Sequence, residues 1–173
     1  VFDSQEAIDL LAWLNALLNP SDERLIRTAL ATKTQGLNAA TLDAMLNNES
    51  RWEQELEKIQ SFQWHWKKRG IMAAMMLWLE SPLGLTDQDD MSLAVRLKQS
   101  PQGERCLTNI IHLGELLQSA SRRLRGQQGL VRWFGERIFD PERNGEEAQL
   151  RLETDANLVT IVTIHKSKGL EYP

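Results

Sequence analysis

Apolar residues recur at three- and four-residue spacing along most of the chain, so the pattern predicts one helix after another. From about Ser4 to Leu18 the stripe is Ala7, Leu10, Leu11, Leu14, Leu17 and Leu18. Asp3 and Glu6 read as an Asp-x-x-Glu capping box there, and Asn19-Pro20 as the stop. A short helix from Asp22 to Ala31, capped by Ser21, carries Leu25, Ala29 and Leu30; Gly36-Leu37-Asn38 breaks the chain before Ala39 to Leu46. Ser50-Arg51-Trp52-Glu53 reads as a second capping box. It opens the strongest amphipathic pattern, in which Trp52, Leu56, Ile59, Phe62 and Trp66 share one face as far as Gly70.

Met72, Met75, Met76 and Leu79 continue as another helix, stopped at Ser81-Pro82. A polar loop from Gly84 to Asp90 leads to a short helix from Met91 to Lys98. Beyond Ser100-Pro101-Gln102-Gly103, a long helix is marked by Leu107, Ile110, Ile111, Gly114, Leu117 and Leu124 and closes at Gly126. The last helix runs from Leu130 to Phe139. Only then does the period change: after a charged loop at 142–149, Leu150-Arg151-Leu152 alternates, and the β-branched run at 159–164 predicts a strand. The expectation is a mainly α chain of about seven helices with one terminal strand. A lone strand cannot pair its own backbone, so it is assigned to the sheet of a neighbouring α/β domain, and the whole is read as a segment excised from a larger protein.

Composition narrows the chemistry. Lysine plus arginine number 20 against 24 acidic residues, a net charge of -4, so there is no global field for nucleic acid and any such contact must be local. The single Cys106 excludes an internal disulfide and, within an apolar helical pattern, reads as a buried inert thiol in a reducing cytoplasm. No apolar run approaches the roughly 20 residues of a membrane span. His65, His112 and His165 are dispersed, and Asp87-Gln88-Asp89-Asp90 lacks the glycine and glutamate of a calcium loop, so no metal site is expected. Two basic clusters, Lys67-Lys68-Arg69 and Arg122-Arg123-x-Arg125, read first as cations offsetting helix C-terminal dipoles, with phosphate contact the less favoured alternative. Trp66 belongs to the Trp52 stripe and to the core; Trp64 points elsewhere, and Trp13, Trp78 and Trp133 lie in apolar helical patterns.

The strand end and its loop carry the most specific chemistry. Thr163 and His165 can hydrogen-bond phosphate, Lys166 and Lys168 add charge, and Gly169 permits backbone angles that a side chain forbids. The run Thr163-Ile164-His165-Lys166-Ser167-Lys168-Gly169-Leu170-Glu171-Tyr172-Pro173 resembles motif V of the UvrD/RecB branch of superfamily 1 DNA helicases, whose pattern is T-x-H-x-x-K-G-L-E-[FY].

That resemblance implies a fold: lead-in helices at the junction of the 2A and 2B domains over 1–33, a helical 2B domain over 34–155, and the truncated motif V strand and loop of the 2A motor domain over 156–173. It also implies roles, with Thr163, His165 and Lys166 contacting DNA, and Lys168, Gly169 and Glu171 shaping the loop and coupling it to nucleotide. The whole protein would be an ATP- and magnesium-dependent helicase-nuclease acting on single strands and duplex ends beside other subunits. This chain alone would be inactive, holding no cofactor and existing as a monomer or weak dimer. The sequence contains no Gly-x-x-x-x-Gly-Lys-[Ser/Thr], and the family's Walker B pair and later arginine motifs are also missing, so no ATPase site can be assembled from it. The alternative is a catalytically silent helical module that docks other subunits.

Overall fold

The computed structural model describes residues 1–82 and 91–140, which form eight α-helices: α1 (Gln5–Leu18), α2 (Glu23–Leu30), α3 (Ala39–Leu46), α4 (Glu49–Arg69), α5 (Ile71–Glu80), α6 (Leu93–Gln99), α7 (Gly103–Ser121) and α8 (Gly126–Phe139). The mainly helical expectation holds over these residues. The expected strands at 150–152 and 159–164, and the acidic turn at 87–90, lie outside them.

At three helices the capping residue differs from the sequence reading, each time for the same reason. More than one Ser, Asp or Asn stands near the start of each of these helices, and the one that caps has an extended backbone that aims its side-chain oxygen at a first-turn N–H group. In α1 that residue is Ser4, which accepts from Ala7 N–H, rather than Asp3. In α2 it is Asp22, which accepts from Arg24 N–H, rather than Ser21. In α4 it is Asn48, accepting from Arg51 N–H, so Ser50 and Glu53 lie inside the helix and form no capping box.

α1 runs through the middle of the bundle, against α2, α4, α7 and α8. Its buried face carries Ala7, Leu10, Trp13, Leu14, Ala16 and Leu17 as the apolar spacing requires. Trp13 stacks on Trp78 of α5 at 4.7 Å between ring centroids and leans on Phe62 of α4 at 5.9 Å, which joins three helices through one indole. Phe2 closes the other end, edge-on to Trp133 and Phe134 of α8.

One acid sits among these apolar groups. Asp9 is buried; its Oδ2 accepts from both the N–H and the hydroxyl of Thr34 at 2.8 Å, and its Oδ1 accepts from Gln5. The turn after α2 is thereby pinned to α1. Asp9 occupies the same face as Trp13, four residues on, and that placement inside an apolar stripe was the available signal in the sequence.

Along α4, Ile59, Phe62 and Trp66 are buried, but Trp52 and Leu56 are only half-buried. The cause is position: Trp52 lies in the first turn, at the edge of the bundle, with the Arg27 guanidinium 5.2 Å from its ring centroid. The fourth buried residue of α4 is Glu55, bonded to Lys58 at 2.6 Å; Lys58 also donates to the Pro82 carbonyl. Burial pushes the Glu55 carboxyl above its usual range, and the nearby ammonium only partly offsets this.

The folded state therefore binds this proton more tightly than the unfolded chain does. Glu55 contributes stability below the ordinary glutamate range, and that contribution is lost as pH rises through its raised value. Glu55→Gln keeps the volume and removes the titration, so its melting temperature is expected to exceed wild type at pH 7 and to converge on it near pH 4. Melts across that range check this, and a difference independent of pH would assign the cost to something other than ionisation.

Candidate nucleic-acid interface

The six residues singled out at the chain's end, Thr163, His165, Lys166, Lys168, Gly169 and Glu171, lie outside the described residues. The two basic clusters lie within them. Lys67, Lys68 and Arg69 form the exposed last turn of α4, as the dipole argument expects. Arg122 and Arg123 follow the end of α7 directly and are exposed.

Arg125 corrects the sequence reading. It is the N-cap of α8, at the positive end of a helix dipole, because Gly126 at φ 77° turns the chain into α8 before the apolar pattern resumes at Leu130. Dipole compensation accounts for the other five cations and not for this one.

Packing brings the two clusters to one corner. Gly70, at φ 95°, ends α4 and starts α5 in a single residue, and a Cβ there would stand 3.3 Å from Oε1 of Gln118 on α7. The Met72 N–H reaches the same oxygen at 3.5 Å, while one turn earlier on α7 Gly114 lies against the ends of Met72 and Met75. Gln118 is a turn short of Arg122, so the end of α4 and the end of α7 are neighbours.

Among the described residues the charges at this corner are unbalanced. The sequence has no carboxylate between Glu57 and Glu80, nor between Glu115 and Glu136. Among the described residues, none of the six cations takes part in a salt bridge; the four bridges found there join Asp22–Arg24, Glu23–Arg27, Glu55–Lys58 and Arg132–Glu136. Helices α5 and α8 both begin here, with no side-chain cap and no acid in the first turn.

Trp64 stands beside the α4 cluster. It is 50% exposed, with its ring edge-on to His65 at 4.9 Å. Lys67 and Lys68 follow it at three and four residues, which places all three on the face of α4 opposite Glu55, Ile59, Phe62 and Trp66.

Other candidate groups have structural roles. Trp13, Trp66 and Trp78 are buried, and Trp133 is half-buried against Phe2. Cys106 is half-buried rather than fully buried, and burial, followed by the nearby Glu6 and Asp9, raises its thiol to about 12. It is a poor nucleophile at neutral pH. Of the methionines on α5, Met75 is buried and Met72 and Met76 are half-buried; the ends of Met75 and Met72 fill the space beside Gly114. Among the described residues no helix is long and apolar enough to cross a membrane.

No protein-family model matches the chain. Curated relatives do match, from end to end. The chain is 40% identical over 173 residues to the RecBCD enzyme subunit RecB of Escherichia coli K12, an alignment covering 100% of the chain and 14% of that protein. It is likewise 40% identical over 173 residues to the RecB subunit of Haemophilus influenzae, covering 99% of the chain and 13% of the relative. With the RecB subunit of Mycolicibacterium smegmatis the identity is 31% over 175 residues, 100% of the chain and 15% of the relative. By these alignments the chain is similar over its whole length to RecB subunits, and it spans about 14% of the length of the curated relative from Escherichia coli.

Proposed function

We propose that the chain is part of an ATP-dependent DNA helicase and exonuclease subunit that processes duplex ends in recombinational repair in the cytoplasm, beside the other subunits of a helicase-nuclease complex. The observation that carries this reading is the 40% identity with a RecB subunit along the whole chain, together with the ten-position match of residues 163–172 to the motif V pattern. In this reading residues 1–33 are lead-in helices at the 2A/2B junction, 34–155 the helical 2B domain, and 156–173 the motif V strand and loop of the 2A motor domain.

Thr163, His165 and Lys166 hold the DNA backbone. Lys168, Gly169 and Glu171 shape the loop and couple it to nucleotide. ATP and magnesium belong to the whole protein and supply the energy for movement along the strand. The cavity lined by Trp13, Gln35, Glu55, Phe62 and Trp78 has a volume of about 20 Å³, room for a single water. With no Gly-x-x-x-x-Gly-Lys-[Ser/Thr] in its sequence, the chain by itself is expected to hydrolyse no ATP.

A loop between two ligands transmits the state of one to the grip on the other, so losing a backbone contact uncouples the cycle while the fold survives. His165→Ala and Lys168→Ala in the full-length protein are expected to lower DNA-stimulated ATP turnover and unwinding by on the order of 10-fold or more. The measurement is ATP turnover with and without single-stranded DNA, alongside a thermal melt. Wild-type turnover and unwinding in both folded variants would remove the functional role of this loop.

A further inference from the structure

We infer that the corner formed by the ends of α4 and α7 is a binding surface for the phosphodiester backbone of nucleic acid, separate from motif V. Its members are Lys67, Lys68, Arg69, Arg122, Arg123 and Arg125, with Trp64 at its margin.

Charge is the first argument. A net charge of -4 on the chain supplies enough acids to pair these cations, yet all six are exposed, and among the described residues none is bridged to a carboxylate. Two acid-free stretches far apart in sequence approach each other where Gly70, next to Arg69, meets Gln118, one turn before Arg122. Concentrated like charges repel one another across that corner, and Arg125 adds a cation where the α8 dipole is already positive. A polyanion relieves all of these at once. A single small anion would touch only a few of them, whereas a phosphodiester strand offers a row of charges matched to a row of cations.

Trp64 decides between nucleic acid and an acidic protein surface. A half-exposed indole with Lys67 and Lys68 a turn away offers an unpaired base a flat face while the lysines take the neighbouring phosphates.

The test uses the 173-residue chain, fluorescently labelled single-stranded and duplex oligonucleotides, and anisotropy titrations over a series of salt concentrations. Wild type is expected to bind with a steep salt dependence. The triple substitutions Lys67→Ala/Lys68→Ala/Arg69→Ala and Arg122→Ala/Arg123→Ala/Arg125→Ala are each expected to weaken binding at least tenfold. Each should also lower the log–log salt slope by about 2 to 3 on duplex. Lysine in place of the three arginines keeps the charge and should restore most of the slope, while Trp64→Ala should weaken single-strand binding about fivefold or more and duplex binding less.

All variants are surface changes, and circular dichroism melts establish that they are folded. Salt slopes unchanged in both triple-alanine variants, or no oligonucleotide binding by wild type at low salt, would overturn the inference. Equal or tighter binding to a polyglutamate peptide would overturn it in favour of an acidic protein partner. His165→Ala in the same assay separates this inference from the motif V reading. If only that variant loses affinity, the corner is excluded and motif V stands; if only the corner variants lose it, the inference holds without support from motif V.

Discussion

Trp13→Ala is expected to destabilise the protein by about 3 to 5 kcal/mol, a large fraction of the roughly 5 to 15 kcal/mol that holds an ordinary domain folded. The ring is 2% exposed and lies between Trp78 and Phe62, so its removal strips one face from each of two other aromatic side chains. Those partners sit on α5 and α4, and neither can close the gap without breaking its own packing. Trp13→Phe should recover part of the loss, since a smaller ring still meets Trp78. Trp52→Ala is the contrasting substitution. Its ring is half-buried at the bundle edge, so the cost should fall well below that of Trp13. Urea unfolding of the three variants, read as midpoints at constant slope, orders them. Equal losses at Trp13 and Trp52 would mean that the Trp13–Trp78 stack is not the centre of the core.

Gly103→Ala should be the most damaging small change in the chain. A Cβ on Gly103 would stand 1.5 Å from the carbonyl oxygen of Leu97, 2.4 Å from its carbonyl carbon and 2.9 Å from Cα of Lys98. All three are backbone atoms, so no rotamer change relieves the clash, and the corner between α6 and α7 must open. The loss is expected at or beyond the upper end of the roughly 1–3 kcal/mol that overpacking costs. Opening that corner also disturbs α6, whose Arg96 donates to the Gln35 carbonyl. Gly114→Ala is the control. Its Cβ would meet only the tips of Met75 and Met72 at 3.0 to 3.1 Å, and those flexible ends can move, so a loss below about 1 kcal/mol is expected. Comparable losses at the two glycines would show that the α6–α7 corner is free to shift.

Helical periodicity made the elements legible in the sequence because an amphipathic stripe is a local property: each apolar position is set by its neighbours three and four residues away. The α1 face from Ala7 to Leu17 and the α4 face from Ile59 to Trp66 were readable for this reason. Caps were not, since Asp3 and Ser4, Ser21 and Asp22, or Asn48 and Ser50 are all competent chemically, and only the backbone angles at the helix entry select one.

The resemblance of residues 163–173 to motif V was legible as a fixed string of residue types, which needs no fold to be noticed, and the similarity to RecB subunits likewise runs along the sequence. The tertiary structure alone decided which distant residues meet. Asp9 with Thr34, Trp13 with Trp78, and Gly70 with Gln118 are pairings between residues far apart in sequence, and no local pattern encodes them. The basic corner is of this kind. Five of the six cations by themselves match a helix C-terminal dipole, and only the packing of α5 against α7, through the space that Gly114 leaves for Met72 and Met75, brings the two clusters toward one field.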